Sequence, residues 1–168
     1  MPITATSARA VATQEVRNLV ANSATFIAAV GAIDFEDAKA SIYLVEKFPD
    51  ESEPVDYERP LCLVLLAMFE YRVSKPGYPA GQIDFQLEID TITEVDGSPA
   101  TPEQQAIDAF NFFGGVESDI SQLGSPIAAA TNDALLRFDR LRQTQPIRRS
   151  RDTGSRDYWM SRYSLVLL

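Results

Sequence analysis

Hydrophobic residues recur along this chain at two different spacings, and each spacing predicts a different kind of element. Near the start they fall three or four residues apart, which indicates an amphipathic helix over residues 7–30 that Gly31 terminates. A strand is expected within residues 39–48, followed by an acidic, proline-bearing loop over residues 49–56. The apolar stripe of the helix consists of Val16, Leu19, Val20, Ser23, Ile27 and Val30, and Phe26 widens it.

The centre of the chain predicts a β-hairpin. Residues 61–73 are almost continuously apolar at first and alternate later, as in a strand whose beginning is buried on both faces. After a turn over residues 74–81, the alternation over residues 82–90 is complete. We expect the apolar face to pack on helices, and the acidic face to be solvated or to lie opposite something basic. The apolar positions are Ile83, Phe85, Leu87 and Ile89, and the polar ones are Asp84, Gln86, Glu88 and Asp90.

Two further helices and a last strand are expected in the C-terminal half. Thr101 and Pro102 combine a capping hydroxyl with a proline at the first helical position, so a helix begins there, and Gly114-Gly115 is a place where it can break or bend. Ser125-Pro126 repeats this start signal, which predicts a second helix over residues 125–142. An arginine-rich loop over residues 146–156 then leads into an alternating strand over residues 157–168.

Charge is distributed unevenly between the two parts of the chain. From Arg137 onward there are eight basic and three acidic residues, a net charge of +5, whereas the residues before it carry −14. The overall charge of −9 argues against a general nucleic-acid-binding protein, so that any contact with DNA must be local. This polarity favours a protein that meets copies of itself or another charged partner.

Four arginines of the predicted loop are the candidate interface residues on the basic side. Arginine pairs bidentately with carboxylates or phosphates and is weakly hydrated, which suits an interface. Three interpretations stay open: a solvated loop, contact with an acidic surface of a neighbouring copy, and contact with DNA phosphates. The candidates are Arg148, Arg149, Arg151 and Arg156, with Asp84, Glu88 and Asp90 as their acidic counterparts.

No catalytic, cofactor or metal site is predicted. The chain contains no histidine, and its single cysteine, Cys62, lies in an apolar run that indicates a buried thiol. Phosphate-binding loops, glycine-rich dinucleotide fingerprints and nucleophile elbows are absent from the sequence. Asp84, Glu88 and Asp90 could form a carboxylate pair, but their spacing of two is that of the solvent face of a strand. With no apolar stretch long enough to cross a bilayer, we expect a soluble protein made in a cytoplasm.

The order of these elements resembles that of the tail-terminator, or tail-completion, proteins of long-tailed bacteriophages. The resemblance rests on the N-terminal helix that ends at Gly31, the long hairpin, the helical segment and the last strand introduced by arginines. It implies an α+β fold, with a mostly antiparallel sheet flanked by helices in one domain over residues 1–168. The chain is longer than this pattern, and residues 101–122 look like a helical insertion.

The resemblance also implies a structural virion protein without enzymatic activity or cofactor. Such proteins form a hexameric ring in the phage neck, where they cap the tail tube, contact the head-tail connector and surround the passing DNA. Net acidity is compatible with a channel wall that repels DNA. Two other hypotheses remain open: another head-tail connector or minor tail protein, and a small enzyme that works through carboxylates.

Overall fold

Two helices, rather than one, form the N-terminal part of the computed structural model, which describes residues 5–49, 58, 60–75, 78–92, 101–130, 138–151 and 157–167. Helix α1 spans Ala5–Ala21 and helix α2 spans Ala24–Val30. The predicted single helix is wrong at Ser23, whose hydroxyl accepts a hydrogen bond from the Phe26 amide at 3.2 Å and so caps α2. Gly31 ends α2 in the left-handed conformation (φ +69°), as the sequence predicts.

The break between α1 and α2 is fixed by Asp119 of helix α4 (Pro102–Ala130). Its Oδ2 accepts hydrogen bonds from the Ser23 hydroxyl at 2.7 Å and from the Thr25 amide at 3.0 Å. Desolvation alone would raise the pKa of Asp119, but the hydrogen bonds from Thr25 and Ser23 outweigh it and hold the pKa below its ordinary value. A carboxylate far along the chain therefore decides where the first predicted helix is divided.

The strand predicted within residues 39–48 is confirmed but short, and a short helix and a 3₁₀ turn precede it. Helix α3 spans Phe35–Ala38, a 3₁₀ turn covers Lys39–Ser41, and only Ile42–Val45 form strand β1. Asp34 caps α3, because its Oδ1 accepts a hydrogen bond from the Asp37 amide at 2.9 Å. Residues 50–56 of the predicted acidic loop lie outside the described residues.

The sheet contains five described strands in the order β1-β2-β3-β5-β4. Strand β1 is parallel to β2, and every other neighbouring pair is antiparallel, so the chain forms one α+β domain with a mostly antiparallel sheet, as predicted. The predicted hairpin is confirmed, with strands that extend closer to its turn, and so is the last strand. The further strand bounds are Leu61–Lys75 (β2), Tyr78–Ile92 (β3), Phe138–Arg151 (β4) and Asp157–Leu167 (β5).

The second predicted C-terminal helix is wrong. Helix α4 starts at Pro102, where Thr101 Oγ1 accepts from the Gln104 amide at 3.2 Å, and continues through Gly114-Gly115 to Ala130. Residues 138–142 belong to β4, and residues 131–137 lie outside the described residues. Pairing along the whole length of β5 outweighs the helical spacing of apolar residues in this stretch, since local propensity is a weak preference.

The predicted arginine loop over residues 146–156 is also wrong in its first half. Pro146 through Arg151 continue β4, and residues 152–156, with Arg156, lie outside the described residues. Proline lacks the N–H of a sheet ladder and is tolerated in a strand at an edge or a bulge. Pro146 meets both conditions, because β4 is an edge strand whose register with β5 shifts between Gln145 and Arg148.

The main core lies between the helices and one face of the sheet, which we call the helix face. Helix α1 packs over β1 and β2, and α4 packs over β4 and against α1 and α2. Tyr163 donates a hydrogen bond from its hydroxyl to Glu117 Oε1 of α4 at 2.6 Å, which joins the two layers. Desolvation raises the pKa of Tyr163, and the bond to Glu117 adds to the shift. Fully buried residues of this face include Cys62, Val64, Phe85, Leu87 and Leu165 from the sheet, and Phe113, Val116 and Ile120 from α4.

Candidate interface along the arginine edge

Strand β4 forms one border of the sheet, and β5 is the only strand in the described part of the chain that pairs with it. Its outer row of backbone N–H and C=O groups therefore faces away from the sheet, which makes such a strand a template for contact with another chain. Five exposed arginines lie on this strand, and we call them the arginine edge: Arg140, Arg142, Arg148, Arg149 and Arg151.

The strand register divides the arginine edge between the two faces of the sheet. Arg149 lies opposite Trp159 and Arg151 opposite Asp157, so both are on the helix face. The other three arginines lie on the opposite face, which we call the far face. Their partners in the register are Val166 for Arg140, Ser164 for Arg142 and Met160 for Arg148.

Arg149 is held in place by two neighbours. Its guanidinium lies 5.1 Å from the centroid of the Trp159 ring, and its Nη2 donates a hydrogen bond to Gln105 Oε1 of α4 at 2.8 Å. Trp159 in turn meets Phe110 edge to face, with their centroids 6.5 Å apart. This stacking fixes the direction of the guanidinium, while the residue as a whole remains exposed.

The remaining arginines are held less firmly. Arg151 Nε lies 2.9 Å from Asp157 Oδ1, and Arg140 Nε lies 3.9 Å from Asp139 Oδ2, both at exposed positions where an ion pair contributes little. Arg142 and Arg148 make no hydrogen bond or ion pair with the residues that the structure describes. The edge thus offers guanidinium groups that are available to a partner.

An open groove of about 410 Å³ lies at the end of the β4–β5 hairpin, lined by Arg149, Ser150, Arg151 and Asp157. Helix α4 carries two exposed apolar side chains three residues apart, Ile107 at 43% and Phe110 at 53%, and Phe110 contacts Trp159, on which Arg149 stacks. Aromatic and arginine side chains next to an open groove are the composition of a binding hot spot. We call Ile107, Phe110, Arg149 and Trp159 the aromatic–arginine patch.

Two of the acidic candidates do not lie on the surface. Glu88 is 2% exposed and Asp90 is 1% exposed, so the interpretation of this row as the solvent face of a strand is wrong. Both residues lie on the far face of the sheet, beside the buried Leu61 and Leu63 of β2 in the strand register. They cannot meet the arginines of a neighbouring subunit without partial unfolding.

Glu88 is neutralised within its own chain. Its Oε2 accepts a hydrogen bond from Arg162 Nε at 2.7 Å, and the guanidinium of Arg162 lies 4.6 Å from the centroid of the Phe48 ring. The sequence-based expectation that the acidic face lies opposite something basic is therefore met by an arginine of β5. Asp84, the third candidate, is half-buried and accepts a hydrogen bond from Gln82 at 2.9 Å.

Cys62 is a fully buried thiol, as predicted. Desolvation raises its pKa, and the negative charges of Asp90 and Glu88 add to this shift. A thiol with a raised pKa is rarely ionised and reacts slowly. Cys62 therefore acts as a small apolar residue of the core.

Neither a metal site nor a membrane-spanning helix is found among the residues with described placement. Among them, no group of three or more His, Cys, Asp and Glu side chains is arranged to hold a metal ion. None of the helices in those same ranges is long and apolar enough to cross a membrane.

An exposed acidic surface lies around α3 and was not predicted from the sequence. Asp34, Glu36 and Asp37 are all exposed, and Ile33 beside them is 91% exposed. The signal in the sequence is the run Asp34-Phe35-Glu36-Asp37, a capping acid followed by two acids in a first helical turn.

A comparison with protein-family models finds no match for this chain, and no curated protein matches it.

Proposed function

We propose that this chain is a structural virion protein of the tail-terminator kind, which assembles into a ring, caps the tail tube and joins it to the head-tail connector. The observation that carries this proposal is the arginine edge, a basic border strand with an apolar patch beside it. A ring needs a heterologous interface, in which one patch of each copy meets a different patch of the next. One basic flank on a chain whose net charge is −9 suits that kind of contact.

The length of β4 supports the same function. A 14-residue edge strand is an aggregation hazard unless charges, prolines or a partner cover it. Its arginines and Pro146 hinder uncontrolled pairing with other strands, while an acidic partner can still approach. We therefore expect association to depend on charge and to be controlled, as the stepwise assembly of a virion requires.

A position elsewhere in the neck is the second candidate. The groove already contains Asp157, which is hydrogen-bonded to Arg151, but the guanidinium of Arg149 is exposed to the carboxylates of any acidic neighbour. The same surface is therefore compatible with a head-tail connector or a minor tail protein. An enzyme that uses Asp84, Glu88 and Asp90 has less support, because Glu88 is ion-paired with Arg162 below the surface.

Charge reversal tests the role of the arginine edge. We expect Arg148→Glu with Arg149→Glu to remain folded, by circular dichroism and thermal unfolding, but to lose self-association and tail joining. The control is Arg148→Lys with Arg149→Lys, which keeps the charge while losing the forked geometry, and should retain most of the association. Sedimentation velocity gives the oligomeric state. An oligomer and tail joining that are both unaffected by the reversal would refute the proposed role.

Electron microscopy of particles that lack this protein separates the two positions in the neck. Overlong or headless tails are the expected result for a tail terminator. Empty heads without mature tails would instead favour a head-tail connector or a minor tail protein. Particles of normal appearance and infectivity would contradict both assignments.

A further inference from the structure

We infer that the arginine edge of one copy docks on the exposed acidic surface around α3 of the next copy. We call the latter the acidic turn, and it consists of residues 33–37. This contact presupposes the self-assembly proposed above, and it adds which two surfaces meet. It also replaces the acidic counterpart expected from the sequence, because Glu88 and Asp90 are buried.

The acidic turn is a fixed projection of the surface. Asp37 Oδ2 accepts a hydrogen bond from the Ile33 amide at 3.0 Å, and Asp34 Oδ1 accepts one from the Asp37 amide at 2.9 Å. These bonds hold the Ile33 side chain outward, where it is 91% exposed. A preorganised turn loses little conformational entropy when a partner binds it.

The charge of the acidic turn is only partly balanced. Against Asp34, Glu36 and Asp37 stand two cations: Lys39, whose Nζ lies 3.0 Å from Glu36 Oε1, and Arg17, whose Nη2 donates a hydrogen bond to the Lys39 carbonyl at 2.9 Å. The side chain of Glu36 is nevertheless 64% exposed, so one of its oxygens remains accessible to a second cation. The turn therefore presents a net negative surface around an apolar side chain.

The acidic turn and the arginine edge belong to opposite borders of the molecule. Helix α3 leads through the 3₁₀ turn directly into β1, which is the border strand of the sheet opposite β4. Leu44 of β1 is 45% exposed, which extends the apolar surface on that side. When a second copy lies beside the first, the acidic turn of one copy therefore faces the arginine edge of the other, and both surfaces include exposed apolar side chains. Such a contact between two different surfaces is heterologous.

The two surfaces also match in composition. Ile33 supplies one apolar anchor, and the aromatic–arginine patch supplies exposed Ile107 and Phe110 to receive it. Carboxylates of the acidic turn can then pair with the exposed guanidinium of Arg149 at the groove, and compete with Asp157 for that of Arg151. Such a cluster forms the centre of an interface that must bury about 800 Å² on each partner.

Two exposed acids on α4 fit this role less well. Glu103 and Asp108 lie on α4, the same helix that carries Ile107 and Phe110, so they belong to the basic flank itself. The acidic turn is the described acidic surface that adjoins a nearly fully exposed apolar side chain on the opposite flank.

A charge-swap experiment tests this contact. We expect Glu36→Arg alone and Arg149→Glu alone each to weaken self-association by roughly tenfold or more, because each sets like charges against one another. Mixing the two variants should recover assembly, since every junction between unlike variants then joins opposite charges. Ile33→Ser should weaken association as well, without changing thermal stability. Sedimentation velocity of each variant and of the mixture measures these effects.

Glu15→Arg on α1 is the matched control, because it makes the same chemical change at another acidic position. An oligomer whose affinity is the same in Glu36→Arg, Glu15→Arg and wild type would overturn the inferred contact and leave the proposed ring standing. Single variants that dissociate but do not reassemble on mixing would also overturn it. A wild-type protein that stays monomeric at every concentration, with or without tail tubes, would overturn both.

Discussion

Replacing Glu88 with alanine should lower the free energy of unfolding, because the Glu88 carboxylate is buried on the far face of the sheet. Glu88 is 2% exposed, and its Oε2 lies 2.7 Å from Arg162 Nε, directly across from β3 to β5. The Arg162 side chain is 21% exposed and also stacks on Phe48. Glu88→Ala leaves this guanidinium in a mostly buried place without its counter-charge.

The expected loss follows from how far water can reach the remaining charge. Removing one partner of a fully buried ion pair costs about 3–5 kcal/mol. Because about a fifth of the Arg162 side chain is accessible to water, solvent compensates part of the loss, and we expect about 2–4 kcal/mol. A domain with a total stability of about 5–15 kcal/mol would lose a large share of it.

Urea unfolding at pH 7 and constant protein concentration measures this loss. Glu88→Ala, Arg162→Ala and the double variant form a cycle whose coupling energy should be about 1 kcal/mol or more. The control is Asp84→Asn, on the same strand and the same face but half-buried, for which we expect a change within about 0.5 kcal/mol. If Glu88→Ala left stability unchanged while abolishing oligomerisation, Glu88 would be an interface residue and not a stabilising residue of the interior.

Two further predictions concern the contact between α2 and α4. Asp119→Ala should lower the free energy of unfolding by about 1–2 kcal/mol at pH 7, because the cap of α2 loses its acceptor. The pKa of Asp119 is lowered in the folded protein, so its contribution is present above the ordinary value of 3.8 and is lost as pH falls through the folded pKa. The urea midpoints of wild type and variant should therefore converge as the pH is lowered below 3.8. Gly115→Ala should cost about 1–3 kcal/mol, because a Cβ there would lie 2.7 Å from Thr25 Oγ1 and 2.8 Å from its Cγ2. Gly114→Ala, where a Cβ would meet nothing within 4 Å, should instead raise the thermal midpoint, and equal effects at both glycines would contradict the close approach of α2 and α4.

Features that depend on local pattern were predictable from the sequence. The alternation in β3 and β5 specifies strands because one face of each is packed on helices, and burial then fixes the register. Gly31 and Thr101 mark helix ends through backbone conformation and a side-chain cap, which act within a few residues. Such signals need no knowledge of the rest of the fold.

Features that depend on distant partners were not predictable. Ser23 fits the apolar stripe of one long helix, and only Asp119, which is 96 residues away, reveals that the helix ends there. Residues 138–142 carry apolar groups at helical spacing, and only the presence of β5 as a partner makes them a strand. In both places a tertiary contact outweighs a local preference that differs by a fraction of a kcal/mol, about 0.7 or less per residue.

The burial of Glu88 and Asp90, which the sequence suggested as acidic interface residues, was not predictable for a related reason. Strict alternation of apolar and acidic residues in β3 normally means one dry and one wet face. Here the far face is also covered at Leu61, Leu63, Met160 and Val166, so the acids on it are buried and Arg162 neutralises Glu88. An alternating strand therefore specifies which residues share a face, but the packing on each face of the folded chain decides whether that face meets water. Once these acids are assigned to the interior, the basic flank needs a counterpart elsewhere, and the acidic turn at the opposite border can supply it.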